Sequence, residues 1–357
     1  MDWVADNDTN DEDFAQLRKE MTYYQSLPYE IKVGLAGYRV KDFEDWAAGN
    51  GKRTHISVGG LDSIVLLMFL RDYGKDRPAI SVSSLEDKSI QEVHEQLGVE
   101  ILKPYKSKMQ VIKDHGYPII SKEKAGKIDH LQNPTEKNKT VRHSIMTGET
   151  GKRGGYRKGT RMRLPQKWLD LFGGPENDTY GTNYLTAPFK VSNKCCYYMK
   201  EKPCDDWARK HDSVPYLGLM ASEGGQREKA LIKNGCNYYG KTTVRSCPFA
   251  MFTRQDILQL ALDLNAPVPK IYGSIKRDSD GKLYTTRAQR TGCSMCGFGI
   301  HIEERPHRFD RLREDYPKEW EFWMYDMGWG DVLTYIGVEW ENEPDANYEQ
   351  LNMFDDN

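Results

Sequence analysis

The sequence predicts an α/β fold: a mostly parallel twisted sheet with helices on both faces, an N-terminal helical extension and a cysteine-bearing C-terminal region. Three observations predict it. Short apolar strands alternate with helical stretches between residues 53 and 104, the rhythm of βαβ units. A glycine pair, Gly59-Gly60, stands where the first strand gives way to a helix. The 357 residues suffice for one large domain with insertions or two packed ones.

Residues 1–13 are acidic and Asn-rich and read as a mobile tail. A helical extension covers 14–50, interrupted near Pro28, with Ile31, Val33, Leu35, Tyr38, Phe43 and Trp46 at roughly helical spacing. An α/β domain spans 51–275. It opens with a strand from Arg53 to Val58, the turn Gly59–Ser63 and a buried helix from Ile64. A strand at 78–83, a helix at 89–97 and a strand at 99–104 follow. The window 137–163 holds nine Lys or Arg, five Gly and one acid, Glu149, and reads as a flexible basic insertion. The rhythm returns at Tyr216–Met220 and Asp256–Leu264. A helical region follows over 276–340, aromatic-rich from Pro306 to Gly337, and an acidic tail over 341–357.

A net charge of -2 excludes a histone-like polycation but leaves the basic insertion as a local surface for nucleic acid. Mean hydropathy is -0.75, yet 8 Trp, 21 Tyr and 11 Phe argue for a packed core over disorder. No apolar run approaches the ~20 residues of a membrane span, and the first residues lack the basic-then-apolar order of a signal peptide. The expectation is a cytoplasmic protein without a membrane partner.

All seven cysteines lie in the second half: Cys195, Cys196, Cys204, Cys236, Cys247, Cys293 and Cys296. An odd, clustered set reads poorly as a disulfide framework. The pair Cys195-Cys196 and the Cys-x-x-Cys at 293–296 supply four thiolates, which suit a zinc ion or a [4Fe–4S] cluster. Adjacent cysteines are awkward around one small tetrahedral ion, whereas a cubane is large enough for neighbours to reach two irons. Cys236, in a turn, is an alternative fourth ligand, and the four could also be buried structural thiols. Lys194, Lys200 and Lys202 flank the pair and favour thiolates.

A strand running through Ser57 into Gly59-Gly60, with a helix starting at Asp62-Ser63, is an anion-binding design. Glycines let the backbone turn tightly, and helix N-terminal N–H groups then face a phosphate. Ser63 adds a hydroxyl, and Asp62 either caps the helix or helps hold Mg²⁺. The same turn is also what a plain strand–helix connection looks like. It is neither a Walker A loop nor the dinucleotide fingerprint.

His55 to Leu67 resembles the PP-loop of the phosphoadenosine phosphosulfate reductase family, usually Ser-Gly-Gly-Lys-Asp-Ser. Here Val58 replaces the serine and Leu61 the lysine. The resemblance runs from about Leu27 to Gly337. It is carried also by Gly116–Ala125, by Ala187–Pro203 with the cysteine pair, by Gly218–Arg227, and by Arg290–Gly299 followed by Pro306–Phe309. It implies an adenine nucleotide alpha hydrolase-like fold. Ser57, Gly59, Gly60, Asp62, Ser63, Glu86 and Arg227 would bind nucleotide, with Asp62, Ser63 and Arg227 catalytic. Cys195, Cys196, Cys293 and Cys296 would ligate a [4Fe–4S] cluster. Lys122, Arg157, Arg161 and Arg163 are candidate substrate or nucleic-acid contacts, although a solvated basic loop reads the same way. Reductases of this family that use a thiol carry a C-terminal cysteine. This chain has none after Cys296.

The expectation is an ATP- and Mg²⁺-using iron–sulfur enzyme of sulfur transfer, similar to the proteins of DNA phosphorothioation and tRNA thiolation. DNA or tRNA would be its acceptor, and a separate protein its sulfur or electron donor. Two alternatives stay open: a sulfonucleotide (PAPS or APS) reductase, and a non-catalytic nucleotide- or nucleic-acid-binding module.

Overall fold

The computed structural model describes residues 11–82, 84, 86–149, 162–174 and 185–342. In chain order the elements begin α1 (Asp11–Ser26), α2 (Tyr29–Gly49), β1 (Arg53–Ser57), α3 (Leu61–Asp72), β2 (Ala79–Ser81), α4 (Lys88–Gln96) and β3 (Glu100–Ile101). Then come α5 (Lys108–His115), β4 (Ile119–Ile120), α6 (Lys122–Gln132), α7 (Lys139–Thr147), α8 (Gln166–Phe172) and α9 (Lys194–Cys196). After α10 (Lys202–Lys210) stand β5 (Ser213–Leu217), α11 (Gly225–Asn234), β6 (Asn237–Tyr239), β7 (Val244–Ser246) and α12 (Arg254–Asp263). The last are β8 (Ile275–Arg277), β9 (Leu283–Thr285), β10 (Gly297–Phe298), α13 (Arg308–Asp315), α14 (Pro317–Glu321) and α15 (Trp329–Ile336).

The chain divides into two compact units, Met1–Pro104 with Lys200–Cys293, and Tyr105–Met199 with Ser294–Asn357. The first carries a six-stranded sheet in the order β3-β2-β1-β5-β7-β6, parallel except for β6 against β7. The α/β expectation of a mostly parallel sheet flanked by helices therefore stands. In β1 the run Thr54, His55, Ile56 is buried without alternation, as befits a strand covered on both faces. Helix α3 is buried almost all round, through Leu61, Ile64, Val65, Leu66, Leu67, Phe69 and Leu70. Pro28, lacking an N–H, stands at the N-cap of α2 and separates it from α1. The face Ala36, Val40, Phe43, Ala47 then repeats at helical spacing, and its first three residues join the sheet's core, so the N-terminal helices are part of this unit.

The second unit is built differently from the boundaries the sequence suggests. Residues 105–199 pack with the chain after 294. The physical reason is a parallel pairing of β4 with β10, distant in sequence, over one aromatic core of Trp168, Phe172, Phe309, Trp320, Trp323 and Trp329. Part of the expected patternless insertion is also ordered. A 3₁₀ turn at Glu136–Asn138 leads into α7, which buries Ser144, Ile145 and Met146 and ends at Gly148 with φ +77°. Its narrow apolar face is hidden in the sequence by Lys137, Lys139 and Arg142. Among the described residues no helix is long and apolar enough to cross a membrane.

Candidate functional site

Strand order runs outward both ways from the adjacent β1 and β5, to β2 and β3 on one side and to β7 on the other. At such a reversal a crevice opens beyond the carboxyl ends of the strands. Ser57 ends β1 there, in register with Ile80 and Leu217, and the glycine turn follows.

The turn is fixed by side chains from several elements. Gly59 N–H donates to Ser63 Oγ at 2.7 Å, and the Ser63 hydroxyl donates to the Gly60 carbonyl at 2.8 Å. The expectation gave both groups to a phosphate; here they bond each other, so an incoming anion must exchange with that pair. His94, fully buried in α4, lies 2.8 Å from the Gly59 carbonyl. The Leu61 N–H donates to the Tyr272 hydroxyl at 3.1 Å, which sits 2.7 Å from Thr291 Oγ1. Gly60 has extended backbone, φ -78° and ψ -167°, open to any residue. Glycine is needed for space, because a Cβ there would lie 2.5 Å from the Tyr272 hydroxyl. Gly218, just after β5, would put a Cβ 2.9 Å from the Ser63 Cα, so two backbones meet with no room for a side chain.

Asp62 does not cap α3. Its carboxylate accepts from Arg254 Nη1 at 2.7 Å. Burial pushes the Asp62 pKa up, against the pull of Arg254; Glu223 adds to the rise, while Arg290 and Arg227 oppose it. Arg227, which is exposed, donates to the largely covered carboxylate of the half-buried Glu223 at 2.6 Å, and Arg290 stands 3.9 Å from the same carboxylate. Three arginines thus surround two acids. Of the Arg254 guanidinium, Nε and Nη2 are shut off from solvent and have no hydrogen-bond partner among the described residues.

Glu86 is buried and ion-paired with Lys200, and its Oε1 falls 3.8 Å from where a Gly59 Cβ would stand. Lys200 lies in a π-helical turn, Tyr197–Glu201. Burial disfavours its ammonium, but Cys293 and Glu86 outweigh that and hold it charged. Lys200 thus stands between Glu86 and Cys293.

The other expected cluster ligands, Cys195, Cys196 and Cys296, belong to the second unit. Cys195 is buried, Cys196 and Cys296 are half-buried, and no cysteine is in a disulfide. Lys194 pairs with Asp129 at 3.0 Å, and Arg308 donates to the Cys296 carbonyl at 3.0 Å. Among the described residues no group of three or more His, Cys, Asp or Glu side chains is placed to hold a metal, so Cys195, Cys196 and Cys296 of the second unit are not gathered into one here. Burial raises the thiol pKa of Cys204 to about 11, of Cys247 to about 12, and of Cys236 by a smaller step. None of these three is a ready thiolate.

Lys122 is exposed at the start of α6 in the second unit. Arg163 donates to the Met146 carbonyl at 3.2 Å and to Gln166 at 2.7 Å, closing the end of α7. Arg157 and Arg161 lie outside the described residues. Sequence reasoning missed Arg254, Tyr272, Thr291, His94 and Glu223 at this site. Arg254 follows the capping residue Thr253, and nothing local marks it as reaching a turn 192 positions earlier.

No family model and no curated protein matches the chain. Among solved structures, the phosphoadenylyl-sulfate (PAPS) reductase from Candida auris, in a phosphate complex, is similar over 77% of this chain and 98% of its own, with 11% identity and a TM-score of 0.35.

Proposed function

We propose that this chain binds an adenine nucleotide with its phosphates at the Gly59–Ser63 turn and uses it in sulfur transfer. One observation carries the reading: a braced glycine turn at the sheet's reversal point, with Arg254, Arg227 and Arg290 around Asp62 and Glu223. A helix N-terminus and a surplus of guanidinium are what a polyphosphate needs.

In the reaction we propose, an acceptor oxygen attacks the α-phosphorus of ATP, the bond to the bridging oxygen breaks and pyrophosphate leaves. A sulfur nucleophile then displaces AMP from the activated carbon or phosphorus. Arg227 and Arg254 offset the charge that grows on the leaving oxygens. Asp62, being paired with Arg254, positions that cation.

Cys195, Cys196, Cys293 and Cys296 would hold a [4Fe–4S] cluster, a donor set of four thiols whose chemistry suits a cubane better than one tetrahedral ion. When bound, such a cluster supplies electrons or sulfide. Lys200 would hold the Cys293 sulfur as thiolate. The raised thiol pKa of Cys204, Cys236 and Cys247 weighs against a sulfonucleotide reductase in which one of them serves as nucleophile.

The test is anaerobic purification with iron and sulfide analysis, joined to a pyrophosphate-release assay with ATP and either DNA or tRNA. The reading expects about four irons per chain and acceptor-dependent pyrophosphate. Iron-free protein that releases no pyrophosphate with either acceptor would sink it.

A further inference from the structure

The turn segment 57–63 contains no lysine or arginine, and Leu61, the first residue of α3, is committed to the core at 1% exposure. Any cation that meets a phosphate there must come from elsewhere in the chain. Arg254 is placed to supply it. Its backbone is pinned at the first turn of α12 by the capping box of Thr253 and Asp256. Asp256 is itself locked by the buried Lys32 at 2.6 Å. The Arg254 guanidinium carbon lies 6.0 Å from the centroid of the Tyr272 ring, the same tyrosine that accepts the Leu61 N–H. Nη1 is spent on Asp62.

The remaining donors carry the argument. Nε and Nη2 form one edge of a guanidinium, with two parallel N–H bonds that match two oxygens of a phosphate. Both atoms are shielded from solvent and lack a partner among the described residues. Two buried donors left unfilled are unfavourable, and since no solvent reaches them an acceptor gains this edge only when the side chain, 28% exposed overall, turns it outward. Asp62 and Glu223 neutralise two of the three arginines, which leaves one positive charge beside the α3 N-terminus.

We infer that Arg254 is the phosphate-recognising cation of this site, holding Asp62 with one nitrogen and gripping a phosphoryl group of the nucleotide with its Nε–Nη2 edge. This rests on the nucleotide reading above and adds to it the residue, the edge and the ligand group. Arg227 and Arg290, more exposed and both directed at Glu223, contribute charge rather than grip.

The experiment is titration calorimetry of inorganic pyrophosphate and of Mg-ATP into the wild-type chain, R254M and R254K, with the thermal midpoint of each variant recorded. The wild type binds both ligands. R254M loses at least tenfold in affinity for each, and R254K recovers only a small part, because an ammonium keeps the charge but has no fork. Should R254M fail to fold, D62N/R254M removes the ion pair as a unit and carries the same expected loss. Wild-type binding with R254M, or the double variant, within twofold of it overturns the inference and leaves the nucleotide reading standing. A wild type that binds neither ligand overturns both.

Discussion

His94 and Gly59 are joined across 35 positions: the imidazole Nε2 of a fully buried helix residue lies 2.8 Å from the glycine carbonyl. A carbonyl can only accept, so Nε2 carries the proton. The bond fixes the peptide after Gly59, ahead of α3. His94→Ala removes both the bond and a packed ring, and should cost about 2–4 kcal/mol in urea unfolding. His94→Gln, which restores a donor, should cost less. Equal losses for the two would mean that only packing matters.

Gly60 and Tyr272 should be coupled. A Cβ at position 60 meets the tyrosine hydroxyl at 2.5 Å but the ring carbon behind it at 3.8 Å. Gly60→Ala should destabilise by about 1–3 kcal/mol and Tyr272→Phe by about 1 kcal/mol through the stranded Leu61 N–H. The double variant should lose less than the two together. Gly218→Ala has no such rescue, because its obstacle is the Ser63 backbone. Additive losses for Gly60→Ala and Tyr272→Phe would contradict this contact.

Acid should weaken the first unit through His55. Burial, helped by nearby His211, pushes its pKa down to about 4 from the ordinary 6.5. Between those values the unfolded chain binds the proton and the folded chain does not. Stability therefore rises with pH over that window. It is complete above about pH 6.5, falls by on the order of 3 kcal/mol towards pH 4, and is flat below for this group. His55→Asn, which can keep a bond to Ser213, should flatten that slope in unfolding measured from pH 4 to 7. An unchanged slope would show that His55 is not its source.

The Lys32–Asp256 pair is buried on both sides, at 2.6 Å, and Asp256 also accepts the Thr253 N–H at 2.6 Å. Lys32→Met strands a buried carboxylate and should cost about 3–5 kcal/mol. Asp256→Asn in the same background should return part of that, because an amide needs no counter-charge. A Lys32→Met loss below about 1 kcal/mol would mean the pair behaves as an exposed one.

The strand, glycine turn and helix over 53–72 were legible in the sequence, because an apolar run, two glycines and a second apolar run are local signals. Helix α7 was not, since only Ser144, Ile145 and Met146 are buried among charged neighbours. The pairing of Ile119–Ile120 with Gly297–Phe298 was not either, because two-residue strands leave no periodicity. At the site, Gly59, Gly60, Asp62, Ser63, Glu86 and Arg227 could be named from motif and resemblance. Their partners could not: Tyr272 reaches Leu61 from 211 positions away and Arg254 reaches Asp62 from 192. Only the folded sheet brings those residues together.

Nucleotide phosphates on the Gly59–Ser63 turn should leave a direct mark on its amides. In hydrogen exchange with and without saturating Mg-ATP, the nucleotide should slow exchange over residues 58–64 and the first turn of α12. Exchange at the turn that ATP leaves unchanged, or protection confined to other segments, would contradict it.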